Sequence, residues 1–231
     1  MCGRFTITNP DPALLASTFD LTASVDAPLS GLSPHYNVAP TQTVLAVVRD
    51  LKGINRLARF MWGLVPSWSK DSSGASKMIN ARGETVADKP SFRSALSKRR
   101  CLVIADGFYE WQPQADGPKT PMYITLGDHK PFGMAGLWEL WTDRASGETL
   151  STCTIITTSP NALMVPIHNR MPVIIPRESY REWLDPAQTD GHQAAGLLLP
   201  FPAEQMTVYA VSRRVNNVRS DDPGLIEKVA S

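Results

Sequence analysis

The 231-residue chain has almost no net charge, +1 at pH 7, so no long-range field marks it for a polyanion. Any nucleic-acid surface must therefore be local, although 15 of the 23 basic residues are arginine, the better bidentate phosphate ligand. Cysteine is scarce: Cys2, Cys101 and Cys153 are odd in number and widely spaced, which argues against a disulfide framework and for a reduced compartment. No C-x-x-C pair offers zinc a site, and no metal or cofactor is expected. No apolar run approaches the roughly 20 residues that span a bilayer, and Met1 is followed by neither a basic nor an apolar leader segment. The expectation is a cytoplasmic protein, nucleoid-associated if bacterial, with no membrane partner. Repeats, low-complexity tracts and shifts in composition are absent too, so residues 1–231 read as a single domain and, by default, a monomer.

What is present reads as many short strands. Arg4–Thr8 alternates polar with apolar and predicts a half-buried strand that fixes Cys2 at the edge of a sheet. Asp11 and Pro12 mark a helix start, and residues 20–34 read as a loop. Strand-like runs cover Thr43 to Arg49 and Ile54 to Trp62, joined as a hairpin by the Asp50–Gly53 turn. Two short helices are expected between residues 84 and 98. Further strands follow at Cys101 to Ala105, at Met122 to Leu126 and Phe132 to Trp138 around a Gly127-Asp128 turn, at Cys153 to Thr158 and at Thr207 to Val211, with a helix at Glu178 to Leu184. The pattern predicts an α+β fold of mostly antiparallel strands in an open-barrel-like arrangement with peripheral short helices.

The chemistry starts at the N-terminus. Loss of Met1 would leave Cys2 with a free α-amine beside its thiol. The amine titrates at about 7.7–8.0 and the thiol at about 8.5, so both are partly available near neutrality. Such a 1,2-aminothiol suits aldehyde capture: the amine forms a Schiff base and the thiol closes on the imine carbon to give a thiazolidine.

Four other stretches carry more functional groups than a core needs. Asn80-Ala81-Arg82-Gly83-Glu84 places an amide, a guanidinium and a carboxylate together, in a pattern that helix capping and surface ion pairing also produce. Glu110 lies between Tyr109 and Trp111, where apolar rings would raise its pKa and fit it for acid/base work, unless it is simply exposed. His168 stands between Pro166 and Pro172, and a lone histidine can equally be structural. Tyr36–Thr41 and Trp62–Trp68 hold aromatic and proline side chains that could stack on bases or plug a core. The basic run Arg93–Arg100, with Arg82, could meet phosphates of a short strand or form a solvated helix face.

Taken in order, MCGRF at the start, YNVAPTQ at 36–42, WGLVPSW at 62–68, NARGET at 80–85, ADGFYEW at 105–111, AGLWE at 135–139 and IHNRMPV at 167–173 resemble the SRAP (SOS response-associated peptidase) family, with VSRRVNN at 211–217 extending the likeness. The resemblance implies recognition of abasic sites in single-stranded DNA and a covalent thiazolidine crosslink through Cys2 once Met1 is lost. It implies Cys2 as nucleophile, Asn80 positioning the reacting end, Glu110 as acid/base group and His168 assisting at the sugar. It also implies Arg4, Asn37, Pro40, Trp68, Arg82 and Arg93 as DNA-binding residues, and lyase-type Schiff-base chemistry with self-processing thiol peptidase activity. The alternatives are a thiol peptidase or N-terminal-nucleophile amidohydrolase, and a non-covalent single-strand binder in which Cys2 is incidental.

Overall fold

β-branched and aromatic runs, broken by glycine, proline and aspartate, produce strands over most of the chain. The computed structural model describes residues 2–21, 33–127 and 130–229. Within these the strands are β1 (Phe5–Ile7), β2 (His35–Val38), β3 (Thr43–Arg49), β4 (Asn55–Trp62), β5 (Asn80–Arg82), β6 (Arg100–Ala105), β7 (Gly107–Gln112), β8 (Thr120–Leu126), β9 (Phe132–Thr142), β10 (Thr149–Thr158), β11 (Met171–Pro172), β12 (Ile174–Ile175) and β13 (Met206–Ala210). Short helices α1 (Pro12–Phe19), α2 (Arg93–Lys98), α3 (Tyr180–Trp183) and α4 (Gly191–Ala195) lie between them. The fold is α+β with mostly antiparallel strands and peripheral short helices, as the sequence predicts.

One sheet closes on itself. Strand β10 pairs with β4 on one side and β9 on the other, completing a ring β10-β4-β3-β6-β9. Alternate side chains of the ring serve two cores. Leu45, Val47, Leu102, Ile104 and Leu137 pack with Leu15, Phe19, Leu96 and Trp183 from the helices. On the other face Ala46, Trp62, Cys101, Val103, Met134, Cys153 and Ile155 pack with Cys2, Phe5, Phe108 and Ile124, which belong to or precede a second sheet ordered β13-β8-β7-β1-β2. The chain crosses between sheets at Asp106, where β6 ends and β7 begins.

Several expectations need correcting. Strand β1 is buried on both faces and sits between β2 and β7, so Cys2 leads into an interior strand, not a sheet edge. Strands β8 and β9 lie in different sheets, so residues 122–126 and 132–138 do not form a hairpin; Asp128 and most of the 20–34 loop lie outside the described residues. Between residues 84 and 98 there is one helix, α2, preceded only by a 3-10 turn at Gly83–Thr85. Other readings hold: Asp11 caps α1 by accepting from Leu14 N at 2.7 Å, and β3 and β4 pair from Thr43↔Met61 to Arg49↔Asn55. No helix among the described residues is long and apolar enough to cross a membrane.

Buried Asp106 anchors the outgoing end of β1. Its carboxylate accepts from Thr6 Oγ1 at 2.5 Å, Thr8 Oγ1 at 2.8 Å and Asn9 N at 3.2 Å, and also from Thr8 N. The Thr6 hydroxyl also meets Tyr123 OH at 2.9 Å. Tyr123 lies so close to Gly107 that a Cβ there would stand 2.1 Å from the phenolic oxygen. Gly107→Ala should therefore displace Tyr123 and break this network, lowering stability by roughly 2–4 kcal/mol in a denaturant titration. An unchanged midpoint would contradict the packing.

Candidate functional site

The register of β1 against β7 assembles the site. Phe5 pairs with Phe108 and Thr6 with Gly107, and Tyr109 N donates to Arg4 O at 3.0 Å. Continuing this antiparallel register toward the chain start brings Gly3 opposite Glu110, one residue from Cys2. From the other sheet, β5 runs parallel to β10 with Asn80 opposite Ile155, and Asn80 Nδ2 donates to Cys2 O at 2.8 Å. A backbone carbonyl only accepts, so this bond fixes the amide orientation. Asn80 Oδ1 is then a buried acceptor with no hydrogen-bond partner among the described residues. His168 comes from the turn that leaves β10 and returns as β11, half-buried.

Electrostatics ties these groups together. Cys2 is fully buried; burial, then the Glu110 charge, pushes its thiol far above the ordinary range, while a bond from Arg4 N–H pulls the other way. Burial pushes Glu110 up to about 7, opposed by the chain's terminal ammonium and by Lys119. For His168 burial lowers the pKa, assisted by the terminal ammonium, Lys119 and Arg170. The sequence anticipates a raised carboxyl but misplaces its cause. Strand periodicity turns Tyr109 and Trp111 to the opposite face, where they join a separate cluster with Tyr123 and Val215. Glu110 faces the other way, toward the cluster that holds Cys2.

Thus Cys2, Asn80 and Glu110 are brought together, and His168 shares their electrostatic surroundings. The expected DNA-binding residues divide. Arg82 is exposed at the end of β5, two residues past Asn80, and Trp68 is 60% exposed on the loop after Gly63. Pro40 is half-buried in a turn. Asn37 is buried: its amide donates to the carbonyls of Val215, Asn217 and Ser220 at 3.3, 3.0 and 2.8 Å and accepts from Arg4 Nη1 at 2.8 Å. Arg4 Nη1 also reaches Val215 O at 2.9 Å, so Arg4 and Asn37 together bind the C-terminal segment to β1 and β2. Arg93 is exposed on α2, which packs in the helical layer and not in the cluster containing Cys2. Two of the four basic residues in its run are engaged elsewhere, Arg99 pairing with Glu139 at 2.9 Å and buried Arg100 donating to the carbonyls of Leu96, Ser97, Trp183 and Asp185, while Arg93 and Lys98 are exposed.

Two groups escaped the residue-level reading. Lys119, exposed ahead of β8, acts electrostatically on both Glu110 and His168. Arg170 makes a bidentate pair with Glu84, its Nη1 and Nη2 lying 2.6 and 2.9 Å from the two carboxylate oxygens. The only sequence signal for Arg170 was its place in IHNRMPV, and nothing in the sequence marked Lys119. No group of three or more His, Cys, Asp or Glu side chains gathers as a metal site among the described residues.

The fold and this cluster define an α+β protein whose polar centre is built around the beginning of its own chain. The chain belongs to the SOS response associated peptidase (SRAP) family, whose model matches residues 1–218. It is 44% identical over 227 residues to the abasic site processing protein YoqW of Bacillus subtilis, covering 98% of this chain and 99% of that one. The abasic site processing protein HMCES of Xenopus tropicalis is 33% identical over 260 residues, covering 96% of this chain and 77% of its own length. A crystal structure of a Bacteroides thetaiotaomicron protein superposes with a TM-score of 0.86 at 29% identity, covering 99% and 100% of the two chains.

Proposed function

We propose that this protein captures abasic sites in single-stranded DNA, using the amine and thiol of Cys2 after loss of Met1. The observation that carries the reading is the convergence on Cys2 of Asn80, bonded to its carbonyl at 2.8 Å, and Glu110, whose charge acts on its thiol. The two names of relatives above, both abasic site processing proteins, support it.

An abasic sugar is mostly a closed hemiacetal, so a group that moves protons must open it to the C1′ aldehyde. A carboxyl titrating at about 7 is half-ionised at neutral pH and can serve as acid or base. The Cys2 amine attacks the aldehyde, and the carbinolamine loses one water to give the imine. The thiol then adds to the imine carbon, its proton passing to the nitrogen, and the thiazolidine closes with no redox change. Holding both nucleophiles on one residue makes that closure intramolecular. A normal nucleotide has no aldehyde to offer and carries a base where Cys2 must enter. Burial pushes the Cys2 thiol up, which suits its addition to the imine as a thiol whose proton passes to the nitrogen.

Intact mass spectrometry before and after incubation with an oligonucleotide bearing one abasic site tests this. The expected product is protein lacking Met1 plus oligonucleotide minus one water. Turnover of an added peptide without a DNA adduct would instead establish the peptidase reading. Arg82, exposed beside Asn80, is assigned to a DNA phosphate. Arg82→Ala should weaken binding of intact single strands about equally for every sequence. It should also flatten the log–log salt dependence by about 0.7, the share of one phosphate in single-stranded DNA, as read by fluorescence anisotropy.

A further inference from the structure

We infer that Glu84 is a positioning residue for this reaction: through Arg170 its carboxylate holds the His168 ring in a single tautomer, with the proton on Nε2. The inference rests on the aldehyde-capture reading for its effect on rate, whereas the tautomer is a property of the DNA-free protein.

Glu84 lies in the turn directly after β5, two residues beyond Arg82. Its two oxygens take Arg170 Nη1 and Nη2 at 2.6 and 2.9 Å, and Nη2 also donates to Thr157 O at 2.6 Å. Thr157 is paired with Arg82 of β5 and with Pro172 of β11. The guanidinium is therefore clamped where the strand carrying Asn80 meets the turn carrying His168. From that fixed backbone Arg170 N–H donates to His168 Nδ1 at 3.0 Å. An amide N–H can only donate, so Nδ1 is the acceptor and the neutral ring carries its proton on Nε2. The Arg170 carbonyl lies 3.2 Å from the same nitrogen and could accept a proton from it in the Nδ1–H tautomer or the imidazolium, but in either form the shorter bond from Arg170 N–H would lose its acceptor. Burial, with the positive charges of Lys119 and Arg170, opposes the charged form, against the pull of the Arg170 carbonyl. His168 is thus held with its ring proton on Nε2, the form that can donate to a sugar oxygen when DNA binds, and Glu110 is left to move protons.

Without Glu84, a guanidinium whose side chain is only 16% exposed loses its counter-charge, and the 168–170 turn is free to shift. The test is long-range 15N imidazole NMR on the full chain, which has four histidines, beside single-turnover crosslinking. The parent should show only the Nε2–H form of His168. Glu84→Ala should show both tautomers and crosslink about tenfold more slowly without weaker binding of intact single strands, and Glu84→Asp should largely restore both. In an Arg170→Met background Glu84→Ala should cost nothing further. An unchanged tautomer in Glu84→Ala, an unchanged rate, or full additivity with Arg170→Met overturns the inference. A lower melting temperature with the tautomer intact overturns it as well, by making Glu84 structural. If the parent forms no adduct, the proposed function fails and the DNA-free spectra still decide the clamp.

Discussion

Cys2→Ala abolishes the stable adduct with an abasic oligonucleotide, taking it to background, while binding of intact single strands stays within about twofold. The variant separates chemistry from recognition. After Met1 removal it keeps an α-amine, so borohydride can still trap a Schiff base, but no thiol remains to close the ring. Blocking the α-amine while leaving the thiol should remove both the imine and the thiazolidine. The substitution removes one buried sulfur from a cluster with Phe5, Trp62 and Phe108, so a modest loss of stability is expected from the cavity. A melt measured alongside separates that loss from the chemical one. An adduct of undiminished yield and durability in Cys2→Ala would place the reactive group elsewhere and sink the proposal.

Glu110→Gln carries the second large effect, and it has two opposite signs. Crosslinking should slow by about 10²–10³-fold, because the amide can neither give nor take the proton that opens the sugar and dehydrates the carbinolamine. The parent should show a bell-shaped rate profile. On the acid side the carboxylate and the attacking amine become protonated; on the alkaline side the carboxyl, titrating at about 7, can no longer donate. Stability should move the other way. The folded pKa lies above that of an unfolded carboxyl, so the contribution of Glu110 is fully present below pH ~4.3 and is lost as pH rises through about 7. Relative to the parent, Glu110→Gln should therefore gain stability between pH 5 and pH 8, by an amount on the order of 3 kcal/mol. Denaturant titrations at the two pH values read this directly. A constant difference would mean that Glu110 is ionised throughout.

The site was partly legible because its members lie in short runs of unusual composition. MCGRF, NARGET, ADGFYEW and IHNRMPV point to Cys2, Asn80, Glu110 and His168 without any knowledge of their neighbours. Hairpins and caps were equally accessible, since Asp11 before Pro12 and the Asp50–Gly53 turn act over a few residues. Of the two short helices expected between residues 84 and 98 only α2 forms; ahead of it a 3-10 turn carries Glu84 to Arg170, a long-range pairing that local propensity does not carry.

Composition and local pattern alone determined an α+β chain of many short strands, the lack of any apolar run long enough to span a bilayer, and the residue types of its candidate site. Only tertiary structure decided where those residues face. It placed β1 in the interior of a sheet, turned Tyr109 and Trp111 away from Glu110, and drew Asn37 inward to hold the C-terminal segment. It set Arg93 among the helices, apart from the cluster that contains Cys2. The physical reason is register: a strand's alternation is visible in sequence, but which face meets which partner depends on pairings between residues some hundred positions apart, such as Phe5 with Phe108.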